Sequence, residues 1–87
     1  MSVAALPAPK PETVAQRVKR LQAEAKALAG EHVATMARSM VDLSNMAADV
    51  ANGGDAYHAG TREAARQLAD ELESRLLTLT AIMSRTK

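Results

Sequence analysis

The sequence predicts an all-α protein: an antiparallel hairpin of one long and one shorter helix, expected to dimerise into a four-helix bundle. Three observations predict it. Apolar residues recur at steps of three and four along most of the chain, the spacing of one helical face. Between about Pro11 and Arg85 there is one strong interruption, Asn52-Gly53-Gly54-Asp55-Ala56-Tyr57-His58-Ala59-Gly60-Thr61. Folding the chain back there brings the apolar stripes on its two sides into a single alignment.

The 87 residues suffice for one domain. Hydrophobic residues make up 47%, mostly Ala, Leu, Val and Met, a helix-favouring set. Tyr57 is the only aromatic residue, and there is no Phe, Trp or Cys. Without large rings each buried position removes little apolar area from water, so the core is expected to be thin. A chain of this size with no disulfide then needs very good helix packing or oligomerisation. The lack of Cys rules out a disulfide framework and a thiolate metal site. A net charge of +1 gives no global attraction to nucleic acid, membrane or an acidic partner. No run approaches the roughly 18 apolar residues of a membrane span. The N-terminus has no charged start followed by an apolar core, so a secretory signal is not expected and a cytoplasmic location is.

Residues 1–10 hold Pro7 and Pro9 without a periodic pattern, and read as a flexible tail. Residues 11–87 form the single helical domain. Pro11 suits a first helical position and Glu12 the first turn, so the long helix is placed at about 11–51. Its stripe runs Val14, Val18, Leu21, Ala25, Leu28, Val33, Met36, Met40, Leu43, Ala47, Val50. The spacing is sevenfold on either side of one eight-residue step across Gly30. A lone Gly costs about 1 kcal/mol in a helix interior but rarely stops one, so the helix is read as continuous; a break would give a three-helix bundle. Thr35, Arg38, Asp42, Asn45 and Asp49 form the outward face, with Arg20–Glu24 and Arg38–Asp42 as i, i+4 pairs.

At Asn52-Gly53-Gly54 a glycine can take the left-handed cap conformation and stop the helix. The shorter helix is placed at about 60–85, with the stripe Ala65, Leu68, Leu72, Leu76, Leu79, Met83 and the pair Glu71–Arg75. A short connection makes the helices antiparallel neighbours. One register then sets Ala47 opposite Ala65, Leu43 opposite Leu68, Met40 opposite Leu72, Met36 opposite Leu76, and Val33 opposite Leu79.

That register ends the second helix opposite Gly30 and leaves Thr13–Ala29 without a partner. Ala15, Ala29, Ala37, Ser44 and Ala51 form a flank small enough for another helix to approach. Leu76-Leu77-Thr78-Leu79-Thr80-Ala81-Ile82-Met83 is apolar nearly all round, wider than one neighbour covers. Such uncovered surface marks an interface. The expected interface residues are Val14, Val18, Leu21, Leu28, Leu76, Leu77, Leu79, Ile82 and Met83. A homodimer is the economical arrangement. Another protein as partner, a marginal monomer and a coiled-coil assembly are the alternatives.

Chemistry-bearing residues are few. His32, at the junction, has Met36 at i+4 rather than a second ligand, so it reads as an edge-of-core histidine and not a metal site; a pH response in an interface is the sharper alternative. Asp55, Tyr57 and His58 share the loop, but no nucleophile pocket accompanies them, and they read as turn and cap residues. Gly53-Gly54 lacks the strand, spacing and Lys-Ser/Thr of a phosphate loop. Met36, Met40, Met46 and Met83 read as gap fillers rather than an adaptable binding surface. No catalytic residue, cofactor or metal is expected. Arg17, Lys19, Arg20 and Lys26 make the N-terminal third basic and are the candidate nucleic-acid contacts, although no helix-turn-helix spacing accompanies them. With Val14, Val18 and Leu21 they also suggest an amphipathic membrane-surface helix, but the apolar residues there are too small and too few.

Gly53-Gly54-Asp55-Ala56-Tyr57-His58-Ala59-Gly60 and Arg62-Glu63-Ala64-Ala65-Arg66-Gln67-Leu68-Ala69 resemble small uncharacterised helical proteins of alphaproteobacteria, over roughly residues 50 to 83. The resemblance implies a bacterial cytoplasmic setting and no activity or site. The function expected is a non-enzymatic interaction module, a small adaptor or regulator acting as a homo-oligomer. The alternative is a nucleic-acid-associated regulator using the basic segment.

Overall fold

The computed structural model describes residues 10–85. All of the expected tail except Lys10 lies outside the described residues, as do Thr86 and Lys87. Two helices make up the fold: α1, Val14–Ala51, and α2, Ala59–Arg85, joined by a 3₁₀ turn at Gly54–Ala56. They pack as the expected all-α helical hairpin.

The long helix begins at Val14, not at Pro11, because Thr13 supplies the cap. Its backbone is extended (φ −71°, ψ 161°), and its Oγ1 accepts from the Gln16 N–H at 3.1 Å. Gln16 Oε1 accepts from the Thr13 N–H in return, at 2.9 Å. This reciprocal capping box satisfies backbone donors that would otherwise be orphaned. Glu12 is therefore outside the helix and the first turn holds no acidic residue. Instead its carboxylate accepts from Arg20 Nε and Nη2 at 3.0 and 3.1 Å, spanning two turns.

Helix α1 passes through Gly30 without a break, so there is no three-helix bundle. Nothing lies within 4 Å of where a Cβ on Gly30 would sit; no close approach requires the glycine. At the far end the Asn52 N–H donates to Ala48 O at 3.0 Å, and Gly54 reverses the chain at φ +78°, the left-handed region open to glycine. Gly53 serves a different purpose. A Cβ there would overlap Cε2 and Cδ2 of the Tyr57 ring, which lies over this end of the hairpin. Helix α2 starts one residue earlier than expected, capped by His58: the Arg62 N–H donates to His58 O and the Gly60 N–H to His58 Nδ1, both at 3.0 Å.

The packed seam keeps the expected Val33, Met40, Ala47, Ala65, Leu72, Leu76 and Leu79 but not Met36, Leu43 and Leu68. On α1 the shielded positions include Val33, Ala37, Met40, Ser44, Ala47 and Ala51; on α2 they are Arg62, Ala65, Ala69, Leu72, Leu76, Leu79 and Met83. Both sets alternate steps of three and four, the pattern of a coiled-coil seam. Met36, Leu43 and Leu68, expected to face across, are 48%, 43% and 42% exposed. The reason is axial distance. Ala37, Ser44, Ala51 and Ala69, set between the larger Met40, Leu72 and Leu76, are small enough to let the backbones approach. The flank Ala37, Ser44, Ala51 is thus occupied by the chain's own α2, and only Ala15 and Ala29 of that flank stay exposed.

The register along the axis is as expected. Gly30 and Val33 line one groove with Leu79, Ile82 and Met83, so α2 ends beside Gly30. The molecule is a rod of 83 × 26 × 16 Å with a radius of gyration of 24.1 Å, against about 12 Å for a compact domain of this length. Its accessible surface is 7262 Å², against about 4900 Å² for a compact monomer of this mass. Among the described residues only Ala47 and Ala51 are fully shielded hydrophobics. The core is a strip of alanines flanked by half-buried leucines.

Candidate functional site

Because α1 turns about 100° per residue, its surface can be divided into lines. The line facing α2 passes through Val33, Met40 and Ala47. A second line, about 100° around the helix, carries Val14, Val18, Leu21, Ala25, Leu28, His32, Met36, Ser39, Leu43, Met46 and Val50. All but the half-buried Val50 are exposed, and no charged residue interrupts them. This stripe runs nearly the whole length of α1. The expected single stripe was two faces merged: its N-terminal half belongs wholly to the uncovered line, its C-terminal half partly to the seam.

Seven and fourteen residues before Val33, on the seam line, lie Lys26 and Lys19. Beyond Gly30 that line offers lysines where the hairpin half has Val33, Met40 and Ala47. On α2, Leu68 and Ile82 project to the same side of the hairpin as the uncovered line, and Leu77 to the opposite side. That opposite side is more polar, with Asn45, Asp70 and Glu73 beside Val41 and Ser44.

The expected interface residues therefore fall into two groups. Val14, Val18, Leu21 and Leu28 are exposed on the uncovered line, Val14 at 81%; Leu77 and Ile82 are exposed on α2. Leu76, Leu79 and Met83 are half-buried on the side of α2 turned to α1. His32 sits mid-stripe, beside Ala25, Leu28, Ala29, Glu31 and Thr35.

The basic residues are exposed but do not form one face. Lys19 and Lys26 share the seam line, while Arg17 and Arg20 lie on the far border of the uncovered stripe. Arg20 is tied to Glu12 and also to Glu24 at 3.3 Å. These carboxylates, Glu12 foremost, raise its affinity for its proton above the ordinary value. Arg38 donates to Thr35 Oγ1 at 3.0 Å instead of pairing with Asp42, and Arg75 meets Glu71 at 3.6 Å as the spacing predicted.

The loop residues are engaged in closing the hairpin. Asp55 lies 3.8 Å from Arg62 Nη2, Tyr57 packs on Gly53, and His58 Nδ1 is an acceptor in the α2 cap. Arg62 itself occupies a seam position, which composition alone did not suggest; its Nε is shielded from solvent and has no hydrogen-bond partner. Among the described residues, no three His, Asp or Glu side chains converge as a metal site requires. No helix among them is long and apolar enough to cross a membrane.

Comparison with protein-family models, curated proteins and solved structures finds no match to this chain in any of the three.

Proposed function

We propose that this protein is a non-enzymatic interaction module, an adaptor or regulator that works as a homo-oligomer through the uncovered face of its long helix. The observation that carries it is the charge-free line from Val14 to Val50, exposed over almost its whole length. An apolar stripe of that extent is costly to leave in water, since each exposed Leu or Val forgoes about 1.5–3 kcal/mol of burial. A bacterial cytoplasmic setting goes with this reading.

The test is the mass of the particle in solution. Sedimentation equilibrium at micromolar concentration should give a multiple of the 9.2 kDa chain. A fully helical monomer at that concentration would refute the proposal. The nucleic-acid reading has less support, because Arg17 and Arg20 point away from Lys19 and Lys26 and Arg20 is neutralised locally. It predicts binding at low salt that Arg17→Glu and Arg20→Glu abolish.

A further inference from the structure

The uncovered line has a symmetry that suggests its occupant. Val14 and Val50, Val18 and Met46, Leu21 and Leu43, Ala25 and Ser39, and Leu28 and Met36 lie at equal distances on either side of His32. A stripe spaced this way meets itself when a second copy is laid against it in the opposite direction. We infer that the face is the site of a second copy of this chain, with the two α1 helices antiparallel about a twofold axis at His32. This rests on the homo-oligomer reading and adds its geometry.

Charge supports the direction. Residues 10–30 carry Lys10, Arg17, Lys19, Arg20 and Lys26 against Glu12 and Glu24; residues 31–51 carry Arg38 against Glu31, Asp42 and Asp49. An antiparallel pair lays the basic part of one helix along the acidic part of the other. A parallel pair lays basic on basic. On the border of the stripe the antiparallel alignment brings Arg17 near Asp49, and Glu24 near Arg38, of the second copy. Neither Arg17 nor Asp49 has a side-chain ion pair within its own chain among the described residues. The helix dipoles also oppose each other in this direction, the favourable sense.

The arrangement accounts for the overhang. Residues 14–29 of one copy run along residues 35–50 of the other, on the side where Leu68 and Ile82 of its α2 also project. Each closed hairpin then gains a third helix from its partner, and four helices form one assembly. The overhang is a reach across the twofold axis.

The chain has no cysteine, so single cysteines report the alignment directly. In His32→Cys the two thiols meet on the axis, within the 4.4–6.8 Å Cα separation a disulfide needs. Mild oxidation of the full-length variant should yield a covalent dimer. Val18→Cys alone should stay monomeric on a non-reducing gel, because its copies sit about 42 Å apart. An equimolar mixture of Val18→Cys and Met46→Cys should cross-link. These positions are exposed in the single chain, so unchanged far-UV circular dichroism certifies the fold. Arg17→Asp should weaken association by up to about fivefold, and Asp49→Arg in the same chain should restore it. A dimer in which Val18→Cys cross-links with itself as readily as His32→Cys overturns the antiparallel geometry while leaving the homo-oligomer reading intact. A dimer in which none of the three forms a disulfide does the same, placing the interface on another face. A folded monomer by sedimentation overturns both.

Discussion

From Val33 to Ala51, α1 shields one line of side chains against α2; from Val14 to Glu31 every residue of the same helix is exposed. Both are continuous helix, and the covered stretch is the more apolar, with 12 hydrophobic residues in 19 against 9 in 18. What separates them is the reach of α2, which lies beside α1 only as far as Gly30, and the seam line. In the hairpin half it carries Val33, Ala37, Met40, Ser44, Ala47 and Ala51, small or flexible residues that admit a second backbone. In the overhang the equivalent positions include Lys19 and Lys26, and the apolar residues stand about 100° away. Which apolar residues face α2 follows from the angular placement of the small ones among them.

The largest expected effect tests the closed half. Leu72→Ala, at a half-buried seam position, should lower stability by about 2–3 kcal/mol in urea unfolding. Leu77→Ala, at a site 71% exposed, should stay within about 0.5 kcal/mol. Equal effects would break the seam assignment and with it the contrast between covered and uncovered lines.

Next is the hairpin end. Gly53→Ala should cost about 1–3 kcal/mol, because the new Cβ displaces the Tyr57 ring. Combining it with Tyr57→Ala should cost less than the sum of the two single changes, read from thermal unfolding of all four proteins. Additive losses would mean the ring does not brace Gly53.

Two smaller effects probe the overhang. Thr13→Ala removes the cap and should cost about 1 kcal/mol, seen as faster amide exchange at residues 14–17 with no change at 40–51. Gly30→Ala should have the opposite sign, a gain of about 0.5–1 kcal/mol, since the space around it is open and alanine is the better helix former. A loss there would show that the junction between the two halves needs a glycine, as a kinked α1 would.

Much of the architecture was legible in the residues. The glycine-rich break, the antiparallel pairing, the register along the axis and the length mismatch all follow from local signals. The start of α1 was also legible: Thr13-Val14-Ala15-Gln16 is a capping box, a stronger start signal than Pro11 and Glu12. Size alone located only part of the seam: Val33, Met40, Leu72, Leu76 and Leu79 are shielded as their spacing predicts. Choosing the largest apolar residues selects Met36, Leu43 and Leu68, but contact geometry selects Ala37, Ser44 and Ala69. Of the nine interface candidates, Leu76, Leu79 and Met83 face α1, while Val14, Val18, Leu21, Leu28, Leu77 and Ile82 stand free of the hairpin seam.

By itself the sequence determined that this chain is two helices turned back at Asn52–Thr61, because backbone propensity, capping and glycine conformations act within a few residues. Only the tertiary structure decided how each helix is rotated about its own axis. Rotation depends on how closely two backbones can approach, a property of both helices at once and of neither stripe alone. That rotation turned one apparent stripe into a seam and a free face.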